Sequence, residues 1–159
     1  MRHIISVLVE NKFGVLARIA GLFSARGYNI ASLAVSETLD PTVSYMTIVV
    51  EAEDEKILEQ IKKQLNKLID VLVVTDVTKK EHIDRELVLV KVIFADRPEL
   101  KLENVIGKFS NARLISHKGG IGIIEMVGTQ DEIKELLETL KRQFTIKELV
   151  RSGRIAMIM

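Results

Sequence analysis

The spacing of apolar and polar positions changes period several times along the chain, and each change predicts an element. Residues 5–9 predict a β-strand, which Lys12-Phe13-Gly14 interrupts. Val15, Leu16, Ile19, Leu22 and Phe23 then recur at helical spacing, and Gly27 is the residue type that most easily ends a helix. From Asn29 the period returns to two, with Ala31, Leu33 and Val35 on one face and Ser32, Ala34 and Ser36 on the other. Asp40-Pro41-Thr42 is a turn, and residues 43–51 form a further strand with Met46, Ile48 and Val50 on a shared face, so the stretch predicts a hairpin. Asp54 stands as N-cap before the clearest amphipathic helix. Ile57, Leu58, Ile61, Leu65 and Leu68 make its apolar stripe, and Lys56, Glu59, Lys62, Lys63 and Lys67 its polar face. A strand at 71–77 completes the order βαββαβ.

After the polar bridge Lys79-Lys80-Glu81-His82 the same order starts again. Residues 87–94 are an apolar run, and Pro98 opens a helix that turns Leu102, Val105, Ile106 and Phe109 inward. Leu114-Ile115 and residues 121–127 flank Lys118-Gly119-Gly120, a hairpin turn. Thr129-Gln130-Asp131-Glu132 is a capping box for a helix bearing Ile133, Leu136, Leu137, Leu140 and Phe144. Residues 146–150 and 155–158 close the chain as strands separated by Ser152-Gly153. Two such units predict an α+β protein: two ferredoxin-like βαββαβ domains in tandem, each an antiparallel sheet with its helices on one face. The boundaries fall at 1–78, a linker at 79–84, and 85–159. The second face of each sheet is left bare, and runs such as Val73-Val74 and Leu87-Val88-Leu89-Val90 are apolar on both sides, so association with other chains is expected.

Composition narrows the chemistry. The chain has 159 residues, 47% of them hydrophobic and 28% charged, with a formal net charge of +1. The absence of cysteine removes disulfides, thiolate metal sites and cysteine nucleophiles, and His3, His82 and His117 are too scattered for a histidine metal site. Residues 1–80 carry ten basic and ten acidic side chains, and neither half has the basic excess that phosphate backbones require, so no nucleic acid is expected. No apolar run is long enough to span a bilayer, and the chain is expected in the cytoplasm. Enzyme signatures are missing: Gly119-Gly120-Ile121-Gly122 lies between strands rather than before a helix, and no nucleophile elbow or HExxH occurs. The lysines of 56–67 alternate with Glu55 and Glu59, the pattern of a solvated helix face.

The segment Glu10-Asn11-Lys12-Phe13-Gly14-Val15-Leu16 admits two readings. A strand-to-helix turn of this kind leaves N–H groups near residues 14–16 without intrahelical partners, and the helix dipole adds positive potential, so a carboxylate can dock there without an arginine. Gly14 would permit close backbone approach. Alternatively Asn11 and Gly14 only turn and cap the helix, and Asn29 at its exit is only a turn residue.

Several stretches resemble the small, regulatory subunits of acetolactate (acetohydroxyacid) synthase. They are residues 4–11, Gly14-Val15-Leu16-Ala17-Arg18-Ile19, residues 21–33, residues 40–48, residues 64–71, residues 85–92 and Val150-Arg151-Ser152-Gly153. The resemblance covers essentially the whole chain. It implies an N-terminal ACT domain, a small-ligand-sensing form of the βαββαβ fold, and a second ferredoxin-like domain. It further implies no catalytic site in this chain, a large thiamine-diphosphate-dependent catalytic subunit as partner, activation of that subunit, and feedback inhibition by valine in branched-chain amino acid biosynthesis. Thiamine diphosphate, magnesium and FAD are expected in the catalytic partner alone, with no cofactor and no metal here. ACT domains of this type pair as homodimers and bind the amino acid at their interface. Carried onto this sequence, Asn11, Gly14, Val15 and Leu16 of one chain supply the first wall, and Asn29 with Ile30 of the other supply the second. Phe13 and Ala17 depart from the proline and serine common in such loops. The alternative is a free-standing, amino-acid-responsive ACT regulator, for example a transcriptional one, without a synthase partner.

Overall fold

The computed structural model describes residues 2–52, 54–94 and 99–159. Its elements run β1 (Arg2–Glu10), α1 (Val15–Ala25), β2 (Ile30–Glu37), β3 (Val43–Glu51), α2 (Glu55–Leu65) and β4 (Val71–Asp76). They continue as β5 (His82–Ile93), α3 (Glu99–Ile106), β6 (Ala112–Lys118), β7 (Ile121–Gly128), α4 (Gln130–Gln143), β8 (Thr145–Arg151) and β9 (Ile155–Ile158). Two compact units result, one reaching to Ile83 and including Arg154–Met159, the other Asp84–Gly153. Each holds the expected βαββαβ order on an antiparallel sheet.

In the first unit the strands lie in the order β2-β3-β1-β4. Strand alternation sends Ile5, Val7 and Val9 of β1 and Met46, Ile48 and Val50 of β3 to the helix side. There they meet Val15, Ile19, Leu22 and Phe23 of α1 and Leu58, Ile61 and Leu65 of α2, most of the stripes that the helical spacing predicts; Leu16 is instead exposed, and Leu68 packs on this core from beyond the end of α2. Each such buried side chain contributes about 1.5–3 kcal/mol. Asp54 caps α2 as expected, its Oδ1 accepting the Ile57 N–H at 2.9 Å.

The opposite face of this sheet is partly covered. Ile4, Val49 and Val77 form a small cluster with Ala156, against which Ile158 packs. The Tyr45 hydroxyl donates to the Ala156 carbonyl at 2.9 Å, and the Arg154 N–H donates to Ser32 Oγ at 3.0 Å. The sequence predicts a second domain running through 85–159, whereas Arg154–Met159 pack with the first unit. The reason is the apolar pair Ile4 and Val49 on the face away from the helices, which the last strand covers; a four-residue strand carries no signal for which sheet it joins. The linker expected at 79–84 is also partly strand. β5 begins at His82 and pairs with β9, and the Met159 N–H donates to the Glu81 carbonyl.

The second unit has strand order β6-β7-β5-β8. Its core joins Val88, Val90 and Val92 of β5 and Ile124 and Met126 of β7 to Leu102, Val105 and Ile106 of α3 and Ile133, Leu136 and Leu140 of α4. Leu87, Leu89, Val127 and Val150 stay exposed on the other face, as the doubly apolar runs imply. Gly119 and Gly120 both have positive φ, the form a two-residue hairpin loop requires. Thr129 and Glu132 close the capping box reciprocally. Pro98, expected to open α3, lies outside the described residues.

Gly122 marks the tightest point of this core. A Cβ there would meet Leu102 Cδ2 at 2.8 Å, Phe94 Cε1 at 3.2 Å and Leu114 Cδ1 at 3.3 Å. Gly122→Ala is therefore expected to destabilise the protein by about 1–3 kcal/mol through overpacking, read as a lower midpoint in urea unfolding; an unchanged midpoint would contradict this packing.

Candidate functional site

The β1–α1 turn is built almost entirely from backbone. The Asn11 N–H donates to the Thr42 carbonyl at 2.7 Å, and Asn11 Nδ2 donates to the Pro41 carbonyl at 2.9 Å, which ties the turn to the β2–β3 loop. That loop is fixed in its turn by Asp40, whose Oδ1 accepts both the Thr42 N–H at 2.9 Å and the Thr42 hydroxyl at 2.7 Å. The hydroxyl first, and then the N–H, hold the Asp40 carboxyl below its ordinary pKa. Asn11 Oδ1 has no partner among the described residues.

Gly14 is the N-cap of α1 with φ 82°, a left-handed conformation that a side chain strains. No side chain caps the helix, and its first turn carries no acid. The Val15 N–H donates to the Lys12 carbonyl at 3.3 Å and the Arg18 N–H to the Gly14 carbonyl at 3.0 Å; among the described residues the N–H groups of Leu16 and Ala17 between them have no acceptor. The end of α1 is thus an uncapped cluster of donors at the positive end of a dipole. Lys12 lies beside it, paired with Glu10 at 2.7 Å, and the hydrogen bond to Glu10 raises its pKa.

The residues expected as walls are placed unequally. The Val15 side chain is buried in the core and only its backbone faces the turn, whereas Leu16 is exposed. Asn29 is exposed just before β2, its carbonyl accepting the Glu51 N–H at 3.5 Å, and Ile30 is half-buried against the core. The ladder sets these two groups apart. Ile30 pairs with Val50, which pairs with His3, while Glu10 pairs with Val43. The level of Ile30 and the level of Glu10 are therefore separated along the sheet by roughly 23 Å. Within one chain Asn11 and Gly14 lie at one end of the sheet, and Asn29 and Ile30 at the other.

Two residues outside the expected set complete the turn. Arg18, one helical turn after Gly14, donates from Nε to Asp70 Oδ2 at 2.9 Å, with Nη2 at 2.7 Å from the same oxygen. Its Nη1 lies 3.0 Å from where a Cβ on Gly14 would sit. Asp70 is 8% exposed, and its carbonyl accepts the Glu10 N–H at 2.9 Å. The Arg18 guanidinium thus stands at this turn, a positive group that the sequence reading did not include. Arg18 was legible from its i+4 position relative to Gly14; Asp70, 52 residues away, was not. Among the described residues no group of three acidic or histidine side chains could hold a metal, and no helix is long and apolar enough to cross a membrane.

Comparison with known proteins gives consistent matches across the chain. A family model described as the AHAS small subunit-like ACT domain matches residues 5–73, and one described as the small subunit of acetolactate synthase matches residues 85–159. The chain is 46% identical to a probable acetolactate synthase small subunit of Archaeoglobus fulgidus, covering 99% of this chain and 97% of that one. It is 43% identical to the acetolactate synthase isozyme 3 small subunit of Escherichia coli, covering 96% of this chain and 93% of that one. Among solved structures, the acetolactate synthase small subunit of Thermotoga maritima superposes with a TM-score of 0.87 at 33% identity, covering 100% of this chain and 98% of that one.

Gly14, the N-cap, and Gly21, inside α1, provide a paired test of the turn. A Cβ on Gly21, in the helix interior, would meet nothing within 4 Å, so Gly21→Ala is expected to stabilise the fold by about 0.5–1 kcal/mol. Gly14→Ala is expected to destabilise it by about 1–2 kcal/mol. Equal effects of the two substitutions on urea unfolding would contradict the left-handed turn.

Proposed function

The chain belongs to the family of small, regulatory subunits of acetolactate synthase, and we propose that it senses a branched-chain amino acid, valine foremost, where two copies of its first unit meet. As a non-catalytic subunit its partner is the large catalytic subunit, whose activity it raises and on which it confers feedback inhibition in this reading. The cofactors thiamine diphosphate, magnesium and FAD then belong to that partner, in the cytoplasm.

One observation carries the proposal: the two halves of the expected site stand at opposite ends of one sheet, and β2 is that sheet's edge strand. Antiparallel pairing of two β2 edges brings the start of one chain's β2 to the end of the sheet where the other chain's β1–α1 turn lies. Such pairing also satisfies the open edge. The ligand carboxylate then docks on the free N–H groups of Leu16 and Ala17. Its ammonium donates to Asn11 Oδ1, and Asn29 of the facing chain closes the polar end. The branched side chain rests between Leu16 and the facing Ile30.

A ligand shared by two chains responds to their arrangement. Inhibition requires valine to bind the inhibited assembly more tightly than the active one, and a coupling of about 1–3 kcal/mol suffices. Leucine differs by one methylene, worth about 1–3 kcal/mol in an apolar pocket, so discrimination is graded.

Calorimetry with valine, leucine and isoleucine on the isolated protein is expected to show saturable binding of at least one of them, and a folded dimer that binds none would sink the site. Gly14→Asp is expected to abolish feedback while leaving activation of the catalytic subunit intact, because it sets a like charge where the carboxylate docks. A variant that still responds at wild-type valine concentrations would reverse the assignment.

A further inference from the structure

We infer that Arg18 makes the effector site selective for a free carboxylate, with Asp70 as the residue that positions it. The inference rests on the site proposed above but on different atoms. Arg18 spends only one edge of its guanidinium within the chain, Nε and Nη2 both reaching Asp70 Oδ2. Nη1 has no hydrogen-bond partner among the described residues, and it stands over the turn, 3.0 Å from the space that Gly14 leaves unfilled. The side chain is about half exposed, so that edge is accessible, whereas Asp70 is almost wholly buried.

An arginine kept only to neutralise a buried aspartate has no need to present its other edge to an uncapped helix end. Here the buried carboxylate fixes the plane of the guanidinium, and the free edge is left for a second carboxylate, which a planar fork accommodates and a lysine ammonium does not. The local charges explain why the site is receptive yet not preloaded. Glu10 is held by Lys12 and Asp70 by Arg18, so the fixed charges balance and the helix end adds the remaining positive potential. An amino acid whose carboxyl is blocked as an amide loses the charge-assisted hydrogen bonds to Nη1.

Binding of L-valine and L-valinamide to the full-length dimer, by calorimetry, tests this. Arg18→Gln is expected to weaken valine by about tenfold or more while changing valinamide by less than about twofold, since charge-assisted hydrogen bonds are what it removes. Arg18→Lys should also weaken valine, having a charge but no fork, and serves if the glutamine variant fails to fold. Asp70→Asn keeps the guanidinium in place and should cost valine only a few-fold. Wild-type valine affinity in both Arg18 variants would overturn the inference. Equal losses in Arg18→Gln and Asp70→Asn, or equal losses of valine and valinamide, would reduce Arg18 to a structural ion pair and overturn it too. Gly14→Asp separates the two levels: if it abolishes valine binding while the Arg18 variants do not, only this inference falls, and if none of them affects valine the site itself falls.

Discussion

The register of β3 between β1 and β2 governs what the first unit can do. Because β3 is antiparallel to both neighbours, β1 and β2 run the same way, and the end of one lies far from the start of the other. The β1–α1 turn and the entry to β2 carry the residues with free polar groups, and the ladder keeps them at opposite ends. The same ladder leaves β2 at the edge. Separation and open edge are two consequences of one topology, and the proposed two-fold pairing of β2 edges would resolve both. Association of that kind would complete the proposed site as well as cover surface.

Most of this architecture was legible from local patterns. The Asp54 cap, the Thr129 and Glu132 box, the Gly119-Gly120 turn and most of the α1 and α2 stripes depend on residues within a few positions of one another and have the form their spacing predicts, with Leu16, exposed rather than inward, as the exception. Asn11 and Gly14 were visible for the same reason: a polar residue and a glycine at a strand-to-helix turn have few roles to play. What sequence could not supply was set by contacts remote along the chain. Asp70 reaches Arg18 across 52 residues, Asn11 is anchored by the carbonyl of Pro41, and the last strand joins the first unit because Ile4 and Val49 present an apolar surface to it. A backbone carbonyl has no signature in sequence at all. Val15 carries two expectations, a core residue by spacing and a site residue by resemblance; the first holds for its side chain, and its N–H lies in the turn, donating to the Lys12 carbonyl.

The two units share an order of elements but not a chemistry. The first has its uncapped helix end, its glycine N-cap and its arginine gathered at one turn. The second starts α4 with a capping box that satisfies its own donors, and its exposed sheet face is apolar, with Leu87, Leu89, Val127 and Val150 among its residues. A capped helix offers little to an anion, which is why the proposed sensing role is assigned to the first unit, and an apolar sheet face suits association.

The claim that each site is shared between two chains is tested most directly by mixed dimers. Gly14→Asp and Asn29→Ala are each expected to remove valine binding from a homodimer. If sites are shared, a heterodimer of the two variants gathers both lesions into one site and leaves the other intact, so calorimetry should find one valine per dimer at wild-type affinity. A heterodimer that binds no valine, like its parents, would place each site within a single chain and contradict the account.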